Sequence, residues 1–389
     1  MHPLRSFVIL SLLVAAHRTP AQQPRVLDLT SPDGTTLKAT FFPAAKPGPG
    51  LLLLHQCNRQ RKVWDDLAQK FAASGINVLT FDFRGFGESA GAPLDKLTND
   101  QIQDLFDKKF PIDVDTAYHF LSSQPTVTPS VMAAGGASCG VWQSLLLAAR
   151  HPEVKALVLL SEGPTRPSRE FLRKNPTLPL FLAVADDDPD PGVVELMEWA
   201  LSLSTNPLNK FEHFPKGGHG VELFDLHKDL PSDIVTWLNN ALSPHPTMPS
   251  TRAPSIAEHQ NHFLDLLDDP ANASKAPQLF AEARQRYPKE IIFSEPIMNR
   301  LGYEYLQSGN NQAAIALFKL NVSAYPDSPN VYDSLADAYI ANGQKDLARQ
   351  NEQETLDLLS TYTKYPEAFA KTLRESAQKK LGQLSPTPH

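Results

Sequence analysis

Residues 131–150 read Val-Met-Ala-Ala-Gly-Gly-Ala-Ser-Cys-Gly-Val-Trp-Gln-Ser-Leu-Leu-Leu-Ala-Ala-Arg, and their order decides the fold. The apolar run Val131–Ala134 leads into Gly136-Ala137-Ser138-Cys139-Gly140, and an apolar stretch at helical spacing starts at Val141. This is the layout of a buried strand, a sharp turn and a helix, with Ser138 at the apex. A turn this tight strains the backbone of its apex residue. The positions two before and two after the apex must lack side chains, and Gly136 and Gly140 occupy them. Centred on Cys139, the turn would put Ala137 and Val141 where glycines are needed. Ser138 is therefore the candidate nucleophile.

Working outward, short apolar runs alternate with amphipathic stretches from Arg25 to about Leu242, the rhythm of a βαβ protein. Val26–Thr30 and Leu37–Phe42 flank Ser31-Pro32-Asp33-Gly34 and read as an antiparallel hairpin. Leu51–Leu54, Ile76–Phe81, Val131–Ala134, Ala156–Leu160 and Leu180–Ala185 read as buried parallel strands. Helical stretches such as Val63–Ala73, Asp113–Ser122 and Trp142–Arg150 separate them. Residues 90–110 and 163–177 break the rhythm beyond strand ends, where open α/β sheets bind ligands, and are expected to form the mouth of a site.

A serine hydroxyl at such a turn needs a base. Of twelve histidines, His219 fits best. It lies in Lys216-Gly217-Gly218-His219-Gly220 after the strand-like Phe211–Phe214, and its glycines let the loop carry imidazole back over the turn. The base in turn needs an orienting carboxylate. Leu180–Ala185 ends in Asp186-Asp187-Asp188-Pro189, and counting three residues from Ala185 gives Asp188. Asp187 is the alternative acid, and Glu162 a more distant one. Backbone N–H groups of Cys139, helped by the start of the following helix, and of Cys57, in the His55-Gln56-Cys57-Asn58 loop, are the expected oxyanion donors. His55 reads as shaping that loop. If both amides face one oxygen, the Cα atoms of Cys57 and Cys139 fall near the distance a disulfide spans. No metal-ligand spacing and no phosphate-cradling glycine loop stands out, so no metal or other cofactor is expected.

The Leu51–Asn58 run, Asp82-Phe83-Arg84-Gly85-Phe86-Gly87-Glu88-Ser89, the turn at Ser138 and the His219 loop together resemble the dienelactone hydrolase and esterase-like branch of the α/β-hydrolase superfamily. The resemblance covers about residues 25–242. It implies an α/β-hydrolase fold, with helices flanking a mostly parallel sheet. It also implies a Ser138–His219–Asp188 triad cleaving a carboxylic ester or related acyl bond through an acyl-enzyme, with a small molecule as substrate. The Asp82–Ser89 loop is then structural. Ser138 stands where true dienelactone hydrolases have Cys, and His-Gln where many esterases have His-Gly, which leaves the substrate open. A serine peptidase of the same fold is the alternative among enzymes.

Beyond this region lies a different pattern. Ser243–Ser255 holds four prolines in thirteen residues and reads as a stiff linker, placed at 243–257. From 258 to 389 the chain reads wholly helical, a small all-α domain. Within 298–365, Leu301, Gly302, Tyr305, Gly309 and Ala314 recur 34 residues on as Leu335, Ala336, Tyr339, Gly343 and Ala348. This skeleton resembles two tetratricopeptide repeats. Phe318 and Pro326 of the first unit are replaced by Glu352 and Ser360 in the second. The segments around His259–Tyr287 and Ala368–Leu384 are expected to cap the stack. Such repeats suit a protein partner or self-association, and a peptide-binding scaffold is the reading from outside enzymology. The separate periodicities of the two halves predict that residues 22–245 fold alone.

The chain has 389 residues and a formal charge of −7, which argues against nucleic acid as a partner. At the start, Arg5 precedes the apolar Phe7–Ala16 and small residues follow. Residues 1–21 thus read as a cleaved secretory signal, too short to span a bilayer. A secreted or periplasmic protein with no membrane span after signal removal is expected, with residues 22–242 as its catalytic domain.

Overall fold

The computed structural model describes residues 23–249 and 258–384. The segment read as a signal, residues 250–257 of the linker and the last five residues lie outside them.

Eight strands form one sheet: β1 (Arg25–Thr30), β2 (Thr36–Phe42), β3 (Gly48–Leu54), β4 (Asn77–Phe81), β5 (Val127–Ala137), β6 (Val154–Leu160), β7 (Leu180–Ala185) and β8 (Lys210–Phe214). Their order is β1-β2-β4-β3-β5-β6-β7-β8. β1 and β2 pair as the expected hairpin, and β2 runs antiparallel to β4. All the other pairs are parallel. The continuous apolar runs are explained by burial on both faces: every residue of β4 and β7 is buried. On one face, α1 (Asp65–Ser74) and α6 (Leu230–Ala241) seal a core through Phe71, Ile234 and Leu238. On the other lie α2 (Phe110–Ser122), α3 (Cys139–Arg150), α4 (Arg166–Lys174) and α5 (Val193–Ser202). This is the α/β-hydrolase fold, followed by a helical region.

Strand order reverses at β3, whose chain steps one way to β4 and whose other neighbour, β5, starts the run to β8. Loops leaving β3 and β5 therefore part in opposite directions and open a crevice at the carboxyl ends of these strands. The Asp82–Ser89 loop behind it is structural. Asp82 is buried and accepts from the amides of Arg61 (2.6 Å) and Glu88 (2.9 Å). Arg84 forks onto Asp113 at 2.6 Å through both Nε and Nη2.

The helical region contains α7 (Glu258–Asp268), α8 (Ala276–Arg286), α9 (Glu295–Gln307), α10 (Asn311–Ala324), α11 (Pro329–Ala341), α12 (Lys345–Leu359) and α13 (Glu367–Leu384). α9/α10 and α11/α12 are consecutive helix pairs whose turns carry Gly309 and Gly343 at φ +77° and +76°. Such left-handed values favour glycine just past a helix end. A Cβ on Gly302 would sit 2.4 Å from the Phe318 ring, so glycine there lets α9 and α10 approach. In the second pair Glu352 takes the position of Phe318, fully buried. Lys380 of α13 compensates, with Nζ 3.2 Å from Glu352 and 3.0 Å from Asp333.

The linker and the change of periodicity suggest two independent bodies, but the contacts join them. The core under α4 and α5 (Leu172, Met197, Trp199) continues without a break into Phe263, Leu264, Ile297 and Met298. Arg169 of α4, wholly buried, donates to Asp268 Oδ1 (2.7 Å) and Glu304 Oε2 (2.5 Å), and its guanidinium lies 4.2 Å over the Trp199 ring. Arg173 reaches Asp265 (2.6 Å) and Asp268 (2.7 Å). The stretch 163–177, expected at the mouth of the site, thus mostly builds an interdomain seam. Its apolar and charged faces already have partners within the chain.

Candidate active site

Ser138 closes the turn between β5 and α3 at φ 51°, ψ −126°, a conformation that non-glycine residues rarely adopt. Its neighbours explain how the strain is held. A Cβ on Gly136 would lie 2.3 Å from the carbonyl of Gly140, and one on Gly140 would lie 2.3 Å from the Leu54 oxygen. The Ser138 amide donates to Leu160 O at 2.9 Å, anchoring the apex to β6. Strand and helix can meet this sharply only because both flanking side chains are absent.

The parallel register aligns Leu54 with Gly136, so the loop after β3 lies beside the turn. Cys57 and Cys139 each stand three residues past that pair. They form a disulfide with Cα atoms 5.9 Å apart, so the bond follows from register. Gln56 extends the link: its Nε2 donates to Asn58 Oδ1 (2.8 Å) and its Oε1 accepts from the Val221 amide (2.9 Å). A Cβ on Gly220 would come 2.2 Å from that Oε1, which is why glycine follows His219. His55 shapes the loop. Its Nδ1 donates to Gln56 O (2.8 Å), its Nε2 accepts from the Phe83 amide (3.0 Å), and burial pushes its pKa down to about 4. A disulfide across so long a loop restricts the unfolded chain, and reduction is expected to cost about 2–4 kcal/mol of stability. Urea midpoints with and without dithiothreitol check this; coincident curves would refute it.

His219 and Asp188 meet on the loops that follow β8 and β7. His219 Nδ1 lies 2.8 Å and 3.0 Å from the two Asp188 oxygens. The Asp188 side chain is 1% exposed, and its Oδ1 also accepts from the Asp190 amide at 2.9 Å. Asp187 does a different job: Oδ1 accepts from the amides of Gly217 (2.7 Å) and Gly218 (3.0 Å) and pins the loop that carries His219. Glu222 Oε2 accepts from the His219 amide at 3.1 Å, and the His227 ring meets Lys216 O at 2.7 Å. Burial works against a charged His219 ring. The hydrogen bond to Asp188 and the charges of Asp188, Asp190 and Glu162 outweigh it, so the pKa is raised above 6.5. The ring's hydrogen bonds both go to Asp188, and none joins it to Ser138 in this conformation. Such links often tighten only when a substrate is bound.

Glu162, the distant alternative acid, makes no hydrogen bond to His219. It is buried after β6 and accepts from Gly163 N (2.9 Å) and Arg300 Nη1 (2.8 Å), and burial pushes its pKa up to about 7. Gln56, Glu222 and Arg300 were not among the expected site residues. Gln56 lies within the His55–Asn58 motif and Glu222 two residues past the His219 motif, whereas nothing local in the sequence marks Arg300.

Residues 45–171 match the Hydrolase_4 family model, described as "Serine aminopeptidase, S33". The match spans β3 to α4, with the Cys57 loop and Ser138 but without Asp188 and His219. A thiohydrolase from Aspergillus aculeatus is 33% identical over 110 residues, 27% of this chain and 31% of that protein. A polyketide transferase from Stachybotrys chlorohalonatus is 30% identical over 142 residues, 36% of this chain and 43% of that protein. The chain thus spans less than half the length of these relatives. Among solved structures, an esterase from Pyrococcus furiosus is 18% identical with a TM-score of 0.42, over 57% of this chain and 94% of its own. The family match falls on the sheet and on the turn at Ser138, within a strand order that is that of the α/β-hydrolase fold.

Proposed function

We propose that the protein is a serine hydrolase that cleaves a carboxylic ester or thioester, with Ser138 as nucleophile, His219 as base and Asp188 as orienting acid. The observation that carries this reading is the His219–Asp188 pair at 2.8 Å on the loops after β8 and β7, where a Cβ on Gly220, next to His219, would lie 3.2 Å from the Cβ of Ala137, next to Ser138. In the first half-reaction Ser138 Oγ attacks the acyl carbon and its proton passes to His219 Nε2. The amides of Cys139 and Cys57 hold the resulting oxyanion. Collapse expels the alcohol or thiol, which takes the proton from His219 and leaves an acyl-enzyme. Water then repeats the sequence, giving its proton to His219 and releasing the acid.

Of the relatives, one is named a thiohydrolase and one a polyketide transferase. The second name favours one variant of the reading, in which an alcohol or amine replaces water in the second half-reaction. The dienelactone hydrolase and esterase-like branch and the assignment of α9–α12 to tetratricopeptide repeats are part of this proposal. So is export to an oxidising compartment, which the Cys57–Cys139 bond supports. On this reading the helical region serves first as a partner of α4 and α5, with protein binding or self-association secondary.

A fluorophosphonate probe is expected to label Ser138, and the Ser138→Ala protein to remain unlabelled. A panel of p-nitrophenyl esters and thioesters of graded acyl length then reads the substrate class. Labelling that persists in Ser138→Ala would overturn the reading. The raised His219 pKa sets the sign of the pH dependence. Protonated imidazole cannot accept the serine proton, so kcat/KM is expected to fall as pH drops, with its midpoint above 6.5. A pH–rate profile without an acidic limb in that region would contradict the role given to His219.

A further inference from the structure

The helical region supplies a side chain to the loop that carries the acid. Arg300 of α9 donates from Nη2 to both oxygens of Asp190, at 2.7 Å each, and from Nη1 to Glu162 Oε1 at 2.8 Å. Asp190 in turn gives its amide to Asp188 Oδ1 at 2.9 Å, and Asp188 holds His219. A second contact lies close by. Gly192, at φ +82°, brings its backbone so near the start of α9 that a Cβ would lie 3.2 Å from Pro296 and 3.3 Å from the Ile297 nitrogen. Between β7 and these points Asp186, Asp187 and Pro189 are exposed. α9 therefore holds one end of the acid loop, and β7 the other.

We propose that Arg300 is a positioning residue of the active site, so that the C-terminal helical region completes the acid side of the triad. The inference rests on the triad reading given above. Arginine suits the task because one planar guanidinium serves two carboxylates at fixed angles, Glu162 after β6 and Asp190 on the loop after β7. Lysine, a single point of charge, cannot hold both in the same geometry. Arg300 also faces Glu304 of its own helix, and its cation lies against Asp190 and Glu162, two of the three acids whose charge raises the His219 pKa. Glu222 completes the acids around that ring, through the His219 amide.

The test uses the full chain with Arg300→Met, Arg300→Lys, Glu162→Gln/Arg300→Met and Asp190→Asn. The double variant leaves no unpaired buried carboxylate, and Asp190→Asn cuts the clamp at its more exposed end, so a folded protein is available to measure. Hydrogen exchange of residues 186–192 is expected to quicken at least about tenfold in Arg300→Met, in the double variant and in Asp190→Asn. α6 should keep its protection. For hydrolysis, kcat is expected to fall roughly 10- to 100-fold at little-changed KM, as loss of alignment does, with partial recovery in Arg300→Lys. The acidic limb of kcat/KM should move up in Arg300→Met, which loses a cation, and down in Asp190→Asn, which loses an anion, each by on the order of half a unit. A purely structural role would shift neither limb. Unchanged exchange of 186–192 in the double variant, or superimposable limbs in all variants, would overturn the proposal. Hydrolysis that survives Ser138→Ala would instead sink the triad reading, and the exchange data would still decide whether Arg300 holds the loop.

Discussion

Asp188→Asn is expected to lower kcat by about 10,000-fold, the scale seen when the orienting carboxylate of a serine triad is lost. Asp188 is held by the Asp190 amide and aimed at His219 Nδ1 at 2.8 Å. An asparagine there can present its NH₂ to Nδ1, which then carries no proton, and the Nε2 that would take the Ser138 proton is protonated in its place. The base is lost through its tautomer with the geometry intact. Asp187→Asn tests the neighbouring position. Its Oδ1 accepts two glycine amides, at 2.7 Å and 3.0 Å, and an amide oxygen can accept the same bonds. Its loss is expected to stay within about tenfold, since uncharged acceptors weaken such bonds without abolishing them. Single-turnover rates with a p-nitrophenyl ester decide between the two. A large defect in Asp187→Asn beside a near-normal Asp188→Asn would reverse the assignment.

The second expected result is that a chain ending at residue 245 does not fold to an active protein. Trp199, Met197 and Leu172 would lose the cover of α7 and α9. Arg169, wholly buried, would lose Asp268 and Glu304, and Arg173 would lose Asp265 and Asp268. Removing one partner of a buried ion pair costs about 3–5 kcal/mol. Against a total domain stability of about 5–15 kcal/mol, that loss and the uncovered apolar surface are decisive. Soluble expression, circular dichroism and fluorophosphonate labelling of the fragment measure it. A cooperative, labelled fragment would show that the seam is dispensable. Should the fragment fail, an Asp268→Asn full chain with a lowered unfolding midpoint would trace the failure to the Arg169 seam.

Much of the site was legible in the sequence because its constraints are local. The need for glycine at 136 follows from a collision within five residues, with the Gly140 carbonyl, whereas glycine at 140 also clears the Leu54 oxygen of the neighbouring strand. Asp188 was reached by counting from the strand that ends at Ala185, since a strand end fixes where the next few residues can point. The disulfide was foreseen as a matter of proximity, and the register Leu54–Gly136 supplies it. The functions of Asp187 and Gln56 were not legible, because a carboxylate or amide close to a motif does not say which backbone amides will face it.

The sequence by itself determined the alternation of strands and helices, the serine at a strained turn, the order Ser138, Asp188, His219 along the chain and the helical character of the C-terminal part. Periodicity, glycine placement and chain order are written residue by residue, so they survive without coordinates. Only the tertiary structure decided how the halves meet. The proline-rich linker and the change in period describe each half's own regularity, and neither encodes which faces will be shared. The union of Arg169 with Asp268 and Glu304, and of Arg300 with Glu162 and Asp190, joins residues about a hundred or more apart in the chain. A buried charge must find its counter-charge wherever folding brings one, and that choice is made by the packed whole.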